Sequence, residues 1–131
     1  MNKQAIETTN APGAVGPYSQ AIKTGNFLFL SGQIGIDPVT NKLVDGGVEA
    51  QANQVFKNIS AVLKEAGTAL QNVVKATVFL KDMADFKKVN EIYAHYFEPP
   101  FPARSAVAVK ELPLSVDIEI EVIARLEEVE R

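Results

Sequence analysis

One segment near the middle of the chain, Asn72–Lys81 (NVVKATVFLK), most narrows the architectures open to it. It is rich in β-branched residues and reads as a strand. Alternation puts Val74, Ala76, Val78 and Leu80 on one face and Val73, Thr77 and Phe79 on the other. A strand apolar on both faces belongs inside a sheet that is covered on both sides.

The cover has few sources. From Val48 the apolar residues fall at helical spacing: Val48, Ala52, Val55, Phe56, Ile59, Val62, Leu63 and Ala66, with Gly67 placed for a left-handed C-terminal cap. Asp82, with Asp85 three residues on, can cap a second helix. That helix has the stripe Phe86, Val89, Tyr93, Tyr96, Phe97 and stops at Pro99-Pro100. The other periodic segments are strands. These are residues 2–8, Tyr18–Lys23, Phe27–Ser31 after the tight turn Thr24-Gly25-Asn26, Arg104–Val109, and Val116–Leu126. Residues 11–17 form a loop, and Gly35–Gly47 is a polar connection. The order β-β-β-α-β-α-β-β predicts an α+β fold, a mixed sheet of about six strands with two helices on one face, as one domain over residues 1–131. Two helices cover one face only, so self-association is the simplest cover for the other.

Composition removes several kinds of chemistry. The 131 residues include no cysteine and a single histidine, His95. Disulfides, thiolate sites and histidine-cluster metal sites are therefore excluded within one chain, and a site without metal or cofactor is expected. Net charge is −3 with no basic block, which argues against nucleic acid as a partner. No apolar run is long enough for a membrane span, and residues 1–10 lack the apolar core of a secretory signal, so a cytoplasmic location is expected.

A few residues can carry chemistry, although each also has an ordinary structural use. Tyr18 follows the rigid Gly16-Pro17, and Ser31-Gly32-Gln33 ends an apolar strand. Asn90 falls on the apolar stripe of the second helix, where an amide needs partners. Arg104 starts a strand after a proline-stiffened loop and offers the planar fork that suits a carboxylate. Glu119 and Glu121 share the polar face of the last strand, directed away from the helices, where burial makes a carboxylate a candidate general base. His95 lies off the stripe and reads as a surface residue.

Together the segments NAPGAVGPYSQAI, LFLSGQIGIDP, VVKATVFLKDMADFKKVNEIY, PARSAVAV and IEIEVIA closely resemble the reactive intermediate deaminases, RidA branch, in order and spacing over essentially the whole chain. The resemblance implies a chorismate-mutase-like fold, a homotrimer with clefts between subunits, and hydrolysis of 2-iminopropanoate and 2-iminobutanoate to keto acids and ammonia. It also implies that Arg104 grips the substrate carboxylate and Glu119 positions the attacking water. Tyr18, Ser31, Gly32 and Asn90 would line the pocket. Many members carry cysteine two positions after the arginine, where this chain has Ala106, which leaves only a backbone N–H to serve there. A second reading is a regulatory module that binds keto acids without turnover. A third, an RNA-directed function, lacks the positive patch it would need.

Overall fold

In a computed structural model, which describes residues 2–126, the elements run β1 (Gln4–Ile6), β2 (Ala21–Thr24), β3 (Phe27–Leu30), β4 (Ile36–Asp37), β5 (Lys42–Leu43), α1 (Gly47–Glu65), β6 (Val73–Leu80), α2 (Phe86–Tyr96), β7 (Ala103–Ala108) and β8 (Ile118–Arg125). Six strands make one sheet in the order β1-β2-β3-β8-β6-β7, and β4 and β5 form a separate small hairpin. All neighbours are antiparallel except β6 and β7, which are joined through α2 as a parallel crossover. The α+β class and the two helices on one face hold as expected.

Alternation on β8 organises the core. Ile118, Ile120, Val122 and Ala124 are buried together with Leu28 and Leu30 of β3, and with Ala76, Val78 and Leu80 of β6. The α1 stripe packs onto this face, with Val55, Phe56, Ile59, Val62 and Leu63 fully buried. Phe56 also ties α1 to α2. It stacks on Tyr96 at 4.4 Å and meets Tyr93 and Phe97 edge-on at 6.0 and 5.7 Å. Such ring pairs contribute about 0.5–1.5 kcal/mol each beyond the area they bury.

The opposite face carries no element among the described residues. Phe27, Phe29, Val74 and Val107 are exposed there, beside Glu119 and Glu121. One expectation about this face needs correction. A register shift between Val73 and Lys75 turns Val73 into the core and leaves Val74 42% exposed, the reverse of simple alternation. A bulge adds one residue to a strand and so flips the side chains on one side of it.

Other boundaries move for local reasons. The second strand starts at Ala21 instead of Tyr18, because Tyr18 N–H donates to the Gly16 carbonyl in a bend. The connection 35–47 holds the β4–β5 hairpin and a buried Ile36. Fully buried Asn58 of α1 fixes it by donating to the carbonyls of Ile34 (3.1 Å) and Ile36 (2.9 Å). Asp82 accepts from Ala84 N–H and so caps a short 3-10 turn (Met83–Asp85) leading into α2, while α2 itself has no side-chain cap. The expected domain limits, 1–131, extend beyond the described residues at both ends. No helix among the described residues is long and apolar enough to cross a membrane.

Gly67 closes α1 with φ +83°, and Gly67 and Thr68 N–H groups donate to the carbonyls of Lys64 and Leu63. A Cβ at Gly67 would meet nothing, so any penalty there is backbone strain alone. Gly67→Ala is therefore expected to cost about 1 kcal/mol in urea denaturation. No change would show that the helix can end without a left-handed residue.

Candidate active site

The alternation that buries Ile118 and Ile120 forces Glu119 onto the open face, where it lies opposite Phe79 of β6. Its carboxylate rests against Gly32. A Cβ at Gly32 would collide with it, reaching 2.8 Å from the carboxyl carbon, so a glycine is what makes room for this acid. The chain at Gly32 is held in place by Gln33, which exchanges two backbone hydrogen bonds with Ile120, at 2.8 and 3.1 Å. Burial raises the Glu119 pKa above the usual carboxylate value, and the neighbouring charge of Glu121 raises it further.

Next to Gly32 is a cavity of about 240 Å³ whose lining includes Tyr18, Val15, Gln33, Ile34 and Leu114. Tyr18 is 52% exposed, and its hydroxyl lies 3.5 Å from Val15 N–H. Leu114 and Ser115 both have positive φ, 56° and 54°, and Leu114 is 74% exposed. Two left-handed non-glycine residues in a row cost on the order of 1–3 kcal/mol each, a strain characteristic of functional walls. Ser31 donates its hydroxyl hydrogen to the Ser19 carbonyl at 2.6 Å, fastening the residues after Tyr18 to the end of β3.

Arg104 is elsewhere. It pairs in parallel register with buried Ala76, which puts its side chain on the helix face. There the guanidinium lies 4.7 Å from the Tyr93 ring centre and 5.4 Å from that of Phe86, and Nη1 donates to Asn90 Oδ1 at 2.6 Å. The rings hold the plane of the cation and Asn90 fixes its rotation. Burial raises the Tyr93 phenol pKa, with Arg104 pulling the other way. A cavity of about 390 Å³ is lined by Asn90, Tyr93, Ala94, Phe101, Pro102 and Arg104. Ala106, half-buried, follows on the same face.

Asn90 is corrected in one respect. It is exposed beside the sheet edge instead of facing the core, and its partner is Arg104. His95 is exposed, as read from the helical stripe.

The seven candidate residues thus form two groups. Tyr18, Ser31, Gly32 and Glu119 belong to one, and Asn90, Arg104 and Ala106 to the other. Because Arg104 and Glu119 lie on opposite faces of one sheet, they do not meet within a chain. Leu114 and Val15 escaped the sequence reading, since neither residue type signals chemistry. Only the Pro113 turn before Leu114 marked an irregular segment there.

The chain is thus an α+β protein with a braced arginine on the helix face and a half-buried carboxylate on the open face. The chain belongs to the family described as Endoribonuclease L-PSP, matching it over residues 8–126. It is 57% identical over 122 residues to a RutC family protein of Pyrococcus horikoshii, covering 93% of this chain and 97% of that one. It is 53% identical to the chloroplastic Reactive Intermediate Deaminase A of Arabidopsis thaliana, across 96% of this chain and 67% of the relative. The human 2-iminobutanoate/2-iminopropanoate deaminase is 51% identical, with 93% and 89% covered. Among solved structures, RidA from an Antarctic Psychrobacter bacterium superposes with a TM-score of 0.91 at 48% identity, covering 94% and 99% of the two chains.

Glu119 is expected to titrate above an ordinary exposed glutamate in carboxyl carbon NMR, and Glu121→Gln should move it down. Removing the neighbouring anion favours the ionised form, so the shift must be downward. An unchanged Glu119 titration in that variant would show that burial alone sets it.

Proposed function

We propose that the protein is a hydrolytic deaminase that converts short 2-imino acids, such as 2-iminopropanoate and 2-iminobutanoate, into 2-keto acids and ammonia. The observation that carries this reading is the division of the site. Arg104, braced by Asn90, Phe86 and Tyr93, offers a planar fork for a carboxylate, and Glu119 on its glycine seat offers a base. The site is complete when the Arg104 face of one copy meets the Glu119 face of another. That contact is head-to-tail, and such contacts close into a ring when the rotation between copies is a whole fraction of a turn. A homotrimer with three such clefts fits it and also covers Phe27, Phe29, Val74 and Val107. The names of the human and Arabidopsis relatives support the chemistry.

The reaction follows from the groups. Arg104 holds the substrate carboxylate through two N–H donors and so presents the protonated C=N carbon to a water beside Glu119. Glu119 takes a proton from the water as its oxygen bonds to that carbon. Protonated Glu119 returns that proton to the nitrogen of the resulting carbinolamine, the C–N bond breaks as the C=O bond forms, the departing ammonia takes up the hydroxyl proton, and Glu119 is left ionised. Tyr18 is within the same cavity as a hydrogen-bond partner. The base must be ionised, so turnover falls as pH drops through the Glu119 pKa.

A purely RNA-directed activity is less well supported. The net charge is −3 and the sequence holds a single histidine, the exposed His95, so neither a broad positive field nor a histidine pair within one chain is present.

A coupled assay that generates 2-aminoacrylate or 2-aminocrotonate and reads keto-acid formation tests the proposal. Arg104→Ala and Arg104→Lys are expected to lose most activity, because lysine keeps the charge without the fork. Glu119→Gln should lose about 10²–10⁴ in rate yet still bind keto acid. Binding without turnover in the unmutated protein would leave the regulatory-module reading standing instead. Activity is expected to survive exhaustive chelation, and loss restored by a divalent ion would remove Glu119 from its role. Light scattering is expected to give three times the 14.2 kDa chain, and a stable monomer would remove the shared cleft.

A further inference from the structure

One wall of the cavity beside Gly32 is formed by Pro12, Gly13, Val15 and Tyr18, from a stretch, residues 12–18, with no helix or strand and nearly all of it exposed. The start of this stretch is held by one side chain. Gln20 is 4% exposed. Its Nε2 donates to the carbonyls of Pro12 (2.7 Å), Thr8 (3.0 Å) and Ala11 (3.3 Å), and its Oε1 accepts from Thr8 N–H at 2.7 Å. Its own carbonyl accepts from Ser31 N–H at 3.0 Å, one residue before the glycine seat of Glu119. Four side-chain hydrogen bonds from a single amide thus join the start of the loop to the end of β3.

We propose that Gln20 is a positioning residue for the substrate pocket: by fixing the start of the 12–18 loop it sets Tyr18 in the wall of the cavity that Gly32, the seat of Glu119, also lines. Gln20 lies in the cavity lining itself, but its polar atoms are committed to the loop backbone. Its effect on a ligand is therefore exerted through the loop. Two other buried amides pin irregular backbone nearby in the same way, Asn58 on two residues of the same cavity lining. Asn58 holds Ile34 and Ile36, and Gln51 holds Asp117 two residues before Glu119, through its Nε2 to Asp117 Oδ2 (3.1 Å) and Asp117 N–H to its Oε1 (2.9 Å). Those two anchor from α1, whereas Gln20 is the sole side chain with such a grip on residues 8–12 among the hydrogen bonds described.

The role in substrate binding rests on the deaminase reading, but the role in loop placement does not, and two variants separate them. Gln20→Leu removes all four bonds. Gln20→Glu keeps the acceptor for Thr8 N–H and, when ionised, sets a carboxylate against three carbonyl oxygens. Burial, those oxygens and the nearby Glu7 and Glu65 carboxylates, which line the groove on the other side of Gln20, all raise its pKa. Below that pKa the neutral acid regains one donor. Hydrogen exchange of residues 8–18 reads the loop without any activity, and steady-state kinetics read the pocket.

In Gln20→Leu, exchange across residues 8–18 is expected to accelerate at least about tenfold while α1 and β8 keep their protection. KM is expected to rise about tenfold or more, with a smaller change in kcat, as for lost binding shared by ground and transition states. In Gln20→Glu, the rate relative to the unmutated enzyme at the same pH is expected to climb as pH falls. For Gln20→Leu that ratio stays flat. Unchanged exchange at residues 8–18 in both variants would overturn the loop role. Accelerated exchange together with unchanged KM would overturn the pocket role. Failure of the unmutated protein to hydrolyse imines would sink the deaminase reading while leaving the exchange result to decide the loop.

Discussion

The period of two along β8 is the constraint on which the rest depends. Ile118, Ile120, Val122 and Ala124 must face α1 and α2, and that choice alone sends Glu119 and Glu121 to the other face. A slip by one residue would bury both acids under the helices and expose the apolar set, so the register is strongly specified. The same rule acts on β7, where pairing with buried Ala76 commits Arg104 to the helix side. Core packing therefore decides, without reference to chemistry, that cation and base are on opposite sides of one sheet.

This separation explains why each half is braced independently. Arg104 is steadied by two aromatic rings and an amide, which together fix the plane and rotation of its guanidinium. Glu119 is accommodated by the absence of a side chain at Gly32, and its pKa is raised by burial and then by the neighbouring Glu121 charge. The loops around it carry strain at Leu114 and Ser115 and are held by buried carboxamides. Rigid helices and strands supply the anchors, while irregular backbone supplies the wall that meets a ligand.

Much of the fold was legible in the sequence because its signals are long. The α1 stripe and the β8 alternation each repeat often enough to leave no alternative, and both are present as read. The bulge at Val73–Lys75 was not legible, since one inserted residue leaves no mark on composition. The β4–β5 hairpin was hidden for a related reason, because its strands are too short to show a period. At the site, Arg104, Glu119 and Gly32 stood out by residue type and through the family resemblance. Gln20, Gln51 and Asn58 did not, because a buried amide looks like any surface amide until its partners, distant in sequence, are known. Asn90 was noticed for a reason the structure corrects: it is a partner of Arg104 at the sheet edge, not a core amide.

The central claim is that an active site needs Arg104 from one copy and Glu119 from another, and subunit mixing tests it most directly. Arg104→Ala and Glu119→Gln chains, each inactive alone, are unfolded together, refolded as a mixture and assayed for imine hydrolysis. Every head-to-tail contact in which a Glu119→Gln chain presents its intact Arg104 to the intact Glu119 of an Arg104→Ala chain restores one whole site. With random assembly of equal amounts, about a quarter of the sites recover. The account predicts activity near that fraction of the unmutated enzyme's. A mixture no more active than its two components, with mixed assemblies verified by mass spectrometry, would contradict it.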